Sequence, residues 1–577
     1  MINPLKALMK LRAKLKNRLR KLSKFFSSSP HFPSFFLPTF ANMTTIGEDA
    51  PHKATSILKV SGNLMHRFVV ILVRTVMRFL FGTKGGAMPP IKDLNLLESA
   101  TSLARKIRTG KVKSVDVVQS FIDRINEINP VLNCVVDRRF EDALRDAAAA
   151  DKLIASGEYS QSELERIKPF LGVPITTKDC ISVKGMLNTA GIVARRNTRA
   201  EEDSEAIQRM RDAGAIPLAI TNTSECCMWW ESYNNNHGKS CNPYDTNRTV
   251  GGSSGGEGCL LSSGGSPFGI GSDIGGSIRM PSFFNGIFGH KPSKFIVSLK
   301  GHYPIPKDHN LKSFLGVGPM SRYATDLLPM LKILAGENAS KMRLDEPVDL
   351  TRVKIFYQTD DGGGHLVTPV DPDIKAAIQK VATHFQSTLK AKVQKVRFDK
   401  LRKSAPIWFA NMKAKDAPGF DQEITGYTGK ISPPVELVRW MLGRSNHTLI
   451  GIMTALFENF GVKYGDPKQK HLVQQKEKLF AEMQDLLGDD GVFIYPAHPT
   501  PAPYHYEPLV RALNFSYTGV INVLGLPATA CPLGLGSEGL PIGLQVVSAV
   551  NQDRLSLAVA CELERVFGGW VAPEIQA

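Results

Sequence analysis

No C-x-x-C pair and no H-E-x-x-H occur in this 577-residue chain, and of its eight scattered cysteines only Cys226 and Cys227 are neighbours. A zinc site or a disulfide framework therefore has no support, and reduced thiols and no metal are expected. The glycine-rich stretch 248–292 lacks G-x-G-x-x-G, because Gly269 and Gly271 are followed by Ile274 at the required place. "HGKS" at 237–240 would need a glycine at position 233 to close a P-loop, and that residue is Tyr233. Both nucleotide readings fail on spacing. The net charge of +17 suggests nucleic acid only until it is located. Residues 1–90 hold fifteen Lys or Arg against Glu48 and Asp49, which leaves the other 487 residues near neutral at +4. No nucleic-acid partner is expected of such a body. No internal repeat is visible.

The leader is where the charge lies. Residues 1–24 carry nine bases and no acids among leucines and methionines, and "FFSSSPHFPSFFLPTF" follows. Residues 1–47 thus read as a basic, Ser- and Phe-rich leader. Leu64 to Phe81, "LMHRFVVILVRTVMRFLF", is an apolar run containing Arg67, Arg74 and Arg78 on one helical face. We expect a membrane-associated helix over 64–82. A span needs about 20 mostly apolar residues, and a central arginine costs roughly 2.5–3.5 kcal/mol. An interfacial amphipathic helix fits that pattern better. A mitochondrial transit peptide, or an extension ahead of a second start at Met43, are the alternatives. The leader therefore suggests an intracellular membrane such as the endoplasmic reticulum or a lipid droplet, with a mitochondrial site as the other possibility.

From about Asp93 the composition changes to that of a folded body over 93–577. Apolar spacing of three and four predicts two helices separated at Gly110, and a further helix over "EDALRDAAAADKLIAS" stopped by Gly157. "PFLGVPITTKD", "GAIPLAITNTSE", "DGVFIYPAHPT", "ATACPLGL" and "GLPIGLQVV" predict short buried strands. Alternating strands and helices imply an α/β fold, a mixed central sheet covered by helices on both faces. A second apolar stretch, Val435 to Phe460, places Leu437, Trp440 and Met441 at helical spacing, which suits either a surface facing lipid or ordinary core packing.

Gly252-Ser253-Ser254-Gly255-Gly256 satisfies the G-x-S-x-G nucleophile elbow with Ser254 at its centre, but "YDTNRTV" before it reads as a poor strand. Three polar features taken together say more. "GVPITTKD" carries Lys178, "VGGSSGGEG" carries Ser253, and "GSDIGGSIRMP" carries Ser277. With them, the 46 residues 248–293 and the closing "GLPIGLQVV" resemble the amidase signature family over roughly residues 93–570. Glu257, "CMWWES" and the leader are most similar to its animal fatty-acid amide hydrolase branch, the second type in particular.

The resemblance implies an amidase without cofactor, in which Ser277 is the nucleophile and forms an acyl-enzyme. Ser253, held on a cis peptide after Gly252, would relay the proton, and Lys178 would be the base. A lysine of ordinary basicity is neutral in only about one molecule in two thousand at pH 7. Burial among apolar neighbours would favour the free amine. Backbone N–H groups of Ile274, Gly275, Gly276 and Ser277 would form the oxyanion hole, with Asp273, Arg279 and Ser254 in supporting roles. The backbone of Cys227 is a further candidate contact for ligand. The expected function is hydrolysis of fatty-acid amides, such as N-acylethanolamines and primary fatty amides, at a membrane surface, and a homodimer is implied. The alternatives are a small-amide amidase, an amidotransferase-like glutaminase subunit, or a catalytically dead membrane scaffold.

Overall fold

A computed structural model describes residues 50–82, 85, 88–415, 417–458 and 461–573, with the side chains of 50–61 and 81 left aside. The basic leader 1–47 and Phe460 lie outside the described residues. Eleven strands form one sheet, labelled here in chain order as β1 Val135–Arg138, β2 Pro174–Lys178, β3 Ile216–Thr221, β4 Phe268–Asp273, β5 Phe288–Lys291, β6 Gly316–Ser321, β7 Lys354–Tyr357, β8 Val393–Lys395, β9 Gly491–Tyr495, β10 Ala528–Leu535 and β11 Pro541–Ser548. Their spatial order is β1-β3-β2-β4-β6-β5-β10-β11-β9-β7-β8.

Pairing is mixed: β3, β2 and β4 run parallel, as do β9, β7 and β8, while the strands between are antiparallel. Every residue of β2, β3, β4 and β11 is buried, which requires cover on both faces of the sheet. The short runs of Ile, Thr and Val in β2 and β11 suit such doubly covered strands. Helices Arg279–Phe284 and Asp553–Phe567 pack on β10 and β11.

Local signals set the element ends. Helices Ala100–Arg108 and Ser114–Leu132 flank Gly110, and Phe140–Ser156 stops at Gly157 in the left-handed region. The five expected strands occur at β2, β3, β9, β10 and β11.

Three expectations are corrected. The helix expected from Leu64 begins at Ala50 and runs to Phe81, because residues 52–63 contain no further proline and mostly tolerate helix, while Pro51 occupies its first turn. Asp245–Thr249, read as a poor strand, does pair with Cys241–Asn242, in a two-stranded sheet outside the main one. The apolar stretch 435–460 is two helices, Pro433–Met441 and Leu449–Glu458: Ile452 and Ala455 pack inward, but Trp440 and Met441 are exposed, so core packing does not explain those two.

The Ala50–Phe81 helix lies against the body. His66 Nε2 meets the Val510 carbonyl at 2.8 Å, and Arg74, the arginine hardest to place in a bilayer, forms an ion pair with Glu538. Glu538 sits in Gly534-Leu535-Gly536-Ser537-Glu538-Gly539, a run that fits G-x-G-x-x-G but joins β10 to β11 as a hairpin instead of opening a helix, so it is no dinucleotide site. Leu64, Phe68, Ile71, Leu72, Val76 and Phe79 remain exposed along the helix. No helix among the described residues is long and apolar enough to cross a membrane.

Candidate active site

β2 and β4 are parallel neighbours, so their carboxyl ends open on the same edge of the sheet, where α/β proteins place their ligands. Lys178 is the last residue of β2, and Ser272 and Asp273 are the last of β4. Lys178 is fully buried, and its Nζ donates to Ser253 Oγ at 2.6 Å and to Ser272 Oγ at 3.0 Å. Both partners are neutral hydroxyls. His302, pushed down to about 4 by burial, is neutral near pH 7 and adds no positive charge to this corner.

The Gly252–Ser253 peptide is cis. Ser253 is held by its carbonyl, which accepts from Thr223 Oγ1 at 2.9 Å and Ser232 Oγ at 3.1 Å. Segment 224–232 presses on the same peptide. A side chain at Gly252 would lie 2.5 Å from the Trp229 carbonyl and 2.9 Å from the Glu231 nitrogen, so only glycine fits. Ser254 N–H donates to the Ser277 carbonyl at 3.1 Å and joins the two glycine-rich loops. Ser254 Oγ contacts the Ser272 carbonyl and N–H, both at 3.3 Å, which ties that hydroxyl to β4. Ser277 is 7% exposed against 0% for Lys178 and 1% for Ser253.

The loop from 273 to 279 is fixed by a buried ion pair. Asp273 and Arg279 are fully buried, with Arg279 Nη2 3.0 Å from Asp273 Oδ1 and Nε 3.1 Å from Oδ2. The same carboxylate accepts from Gly276 N–H at 2.7 Å and Ile278 N–H at 3.0 Å. Burial pulls the Asp273 carboxyl upward, but the Arg279 charge and hydrogen bonds outweigh it and hold the group well below the usual carboxylate range. Arg279 also reaches Gln545 Oε1 at 2.8 Å, Asn522 Oδ1 at 2.5 Å and the Thr518 carbonyl at 3.1 Å.

Two further residues set the peptide planes. Trp408 Nε1 donates to the Ile274 carbonyl at 3.1 Å, and Thr518 Oγ1 donates to the Gly275 carbonyl at 2.8 Å. In a planar trans peptide the C=O and N–H point opposite ways, so anchoring the Ile274 carbonyl aims the Gly275 N–H away from Trp408. The Gly276 N–H is taken by Asp273, so the four-donor set expected from sequence differs here at one member. Gly276 has φ +121° and a Cβ there would lie 2.0 Å from Thr518 Oγ1, so both conformation and space demand glycine. Sequence reasoning did not find Thr223, Ser232, Trp408, Thr518, Asn522 and Gln545. Ser232 and Gln545 lie within "CMWWES" and "GLPIGLQVV", but nothing in either run assigns them a role, and the other four are ordinary polar or aromatic residues that no local spacing marks.

Cys227 lies in the segment against Gly252, at φ +55°, with its Sγ 3.6 Å from Thr223 Oγ1. Beneath the site, Glu257 is fully buried and accepts from Thr176 Oγ1 at 2.5 Å and Thr221 Oγ1 at 2.8 Å. Burial pushes its carboxyl up to about 7 despite those two bonds. The folded state therefore binds a proton that the unfolded chain releases near 4.5, and stability falls as pH rises from about 4.5 to about 7. Glu257→Gln, which mimics the neutral form, is expected to remove that slope. The stability of the variant relative to wild type should gain on the order of a few kcal/mol between pH 4.5 and 8 in denaturant titrations. Parallel pH curves for the two proteins would show that Glu257 is ionised throughout.

Residues 116–557 match the family model described as Amidase. The chain is 46% identical to fatty-acid amide hydrolase 2 of Homo sapiens over 513 residues, covering 88% of this chain and 96% of that protein. It is 47% identical to fatty-acid amide hydrolase 2-A of Danio rerio over 519 residues, covering 89% and 97%. Among solved structures, one titled fatty acid amide hydrolase superposes with a TM-score of 0.66 at 22% identity, covering 84% of this chain and 87% of that one. A 6-aminohexanoate cyclic dimer hydrolase superposes with a TM-score of 0.65 at 22% identity, covering 82% and 97%. These two structures share the fold.

Proposed function

Since this chain belongs to the amidase family and is an amide-hydrolysing enzyme of the fatty-acid amide hydrolase type, we propose that it cleaves fatty-acid amides to free acid and amine through an acyl-enzyme on Ser277. The observation that carries this reading is the 2.6 Å hydrogen bond from the buried Lys178 to Ser253 Oγ, at the edge of the loop bearing Ser277. A free amine at Lys178 takes a proton from Ser253 Oγ as Ser253 takes one from Ser277 Oγ, and Ser277 attacks the amide carbonyl. The N–H groups of Ile274, Gly275 and Ser277 receive the developing oxyanion, on a loop held beforehand by the Asp273–Arg279 pair and by Trp408. Collapse returns the proton through Ser253 to the leaving amine. Water then enters, loses a proton along the same relay, and releases the fatty acid.

The long apolar acyl chain is supported by the relatives' printed names and by two exposed apolar surfaces, the Ala50–Phe81 helix and the Pro433–Met441 and Leu449–Glu458 pair. We read both as resting on a lipid surface, from which an insoluble substrate would arrive. Arg74 turned inward to Glu538 leaves an apolar stripe on the outer side of the first helix, which suits an interfacial position. The test is hydrolysis of a long-chain acylethanolamide beside a short aliphatic amide at equal concentration. A kcat/KM at least about tenfold higher for the long chain is expected, since each buried methylene adds about 0.8 kcal/mol. Preference for the short amide would overturn the lipid substrate class while leaving the amidase.

A further inference from the structure

Glu225 is a buried carboxylate that the proposed chemistry does not use. Its partners lie more than 220 residues away, at the start of the Leu449–Glu458 helix. Glu225 Oε1 meets His447 Nδ1 at 2.9 Å, and Glu225 Oε2 accepts from the Thr448 N–H at 2.8 Å. Thr448 Oγ1 in turn accepts from the Gly451 N–H at 3.1 Å, as a helix cap does. A carboxylate from another part of the chain thus satisfies a free N–H at a positive helix end. The approach is close: a Cβ on Gly451 would lie 2.9 Å from Glu225 Oε2 and 2.4 Å from Ile424 Cδ1.

The same seam gathers the partner helix. Glu436, buried on Pro433–Met441, accepts from Ser445 Oγ at 2.6 Å, and Ser445 Oγ accepts from the His447 N–H at 3.0 Å. The helix pair is therefore tied as one unit to Glu225. Its other side is apolar and open: Val435, Val438, Trp440, Met441, Leu442 and Phe457 are 41–65% exposed, and all of residues 438–444 are exposed. Trp440 follows Arg439, whose guanidinium is paired with Glu436 at 2.8 Å, and precedes the exposed Arg444 by four residues. An exposed apolar surface with Trp440 and Arg444 fits the interface of an anionic lipid surface, with the ring at headgroup depth and Arg444 at phosphate.

On the inner side, Glu225 begins the segment that cradles Ser253. The next two residues, Cys226 and Cys227, both lie in the left-handed region at φ +56° and +55°. Neither is glycine, so this conformation is disfavoured and persists only where contacts enforce it. Two residues further on, Trp229 places its carbonyl against Gly252, while Thr223 and Ser232, at either end of the segment, bond the Ser253 carbonyl. One carboxylate thus stands between a surface-facing helix pair and the peptide that carries Ser253.

We propose that Glu225 is a positioning residue that couples seating of the apolar helix pair on an anionic lipid surface to the geometry around Ser253. The proposal rests on the amidase reading above. With the pair seated, Glu225 is held at the start of the Leu449–Glu458 helix, to which Glu436 is tied through Ser445, and keeps residues 226 and 227 in their left-handed turn. With the bond broken, that turn relaxes and the Ser253 peptide loses one wall.

The experiment uses the full chain and a short soluble amide, whose own supply does not depend on lipid. Turnover and the rate of Ser277 labelling by a fluorophosphonate are measured with and without vesicles of phosphatidylcholine and phosphatidylserine. Wild type is expected to gain at least threefold in kcat on vesicles with little change in KM. Glu225→Gln is expected to bind vesicles as well in co-sedimentation yet show a ratio near one in both readouts. His447→Gln approaches the same bond from the other side and should do likewise, and it carries the test should Glu225→Gln fail to fold. A folded, vesicle-bound Glu225→Gln stimulated as strongly as wild type would overturn the coupling, as would a wild type indifferent to vesicles. Absence of any Ser277-dependent hydrolysis by wild type would instead overturn the amidase mechanism beneath it.

Discussion

Ser277→Ala is expected to lower turnover of every amide substrate by at least about 10⁴-fold and to abolish labelling by a fluorophosphonate. The size follows from the role: without the hydroxyl no acyl-enzyme forms, and the oxyanion donors and the binding surface alone leave only residual catalysis. The fold should be untouched. Ser277 contributes its backbone carbonyl to Ser254 at 3.1 Å, and that bond survives the change. A melting temperature equal to wild type, alongside lost labelling, is the signature sought. Labelling that persisted in Ser277→Ala would move the nucleophile to another serine, and Ser254 at the centre of the G-x-S-x-G match would be examined next.

The second large effect is on stability. Arg279→Met is expected to cost about 3–5 kcal/mol in denaturant unfolding and to eliminate activity, because it strands a fully buried carboxylate. Asp273 owes its low pKa to Arg279, so the variant must either protonate that carboxyl or admit water beside it. Three other anchors go at the same time: the bonds of Arg279 to Gln545, Asn522 and the Thr518 carbonyl. The double variant Asp273→Asn, Arg279→Met removes both charges and should be less destabilised than Arg279→Met alone, yet still inactive, since the 273–279 loop loses its frame. A single variant as stable as wild type would mean that the ion pair is dispensable for folding.

The two charged elements near the surface illustrate how far local reading reaches. Arg74 in an apolar run made a spanning helix costly, and that objection came from composition alone. Its ion pair with Glu538, 464 residues later, is what turns the arginine toward the body and leaves the apolar stripe outside. Likewise, apolar spacing over 435–460 predicts helix, but whether Trp440 faces core or solvent depends on what packs beside it. The answer was set by Glu225, His447 and Glu436, whose polar seam takes the inner side.

Sequence by itself determined the strand ending at Lys178, the helix stops at Gly110 and Gly157, and the glycine-rich run holding Ser253 and Ser277, because each depends on preferences acting over a few residues. The family resemblance sits on those same local runs. Tertiary structure alone decided that Lys178 meets Ser253 and Ser272, that Arg279 reaches Gln545, and that Trp408 and Thr518 aim the neighbouring peptides. The physical reason is the same in each case. A hydrogen bond is satisfied by whatever the fold brings within about 3 Å, and residues separated by 75 to 266 positions carry no periodicity that announces their meeting.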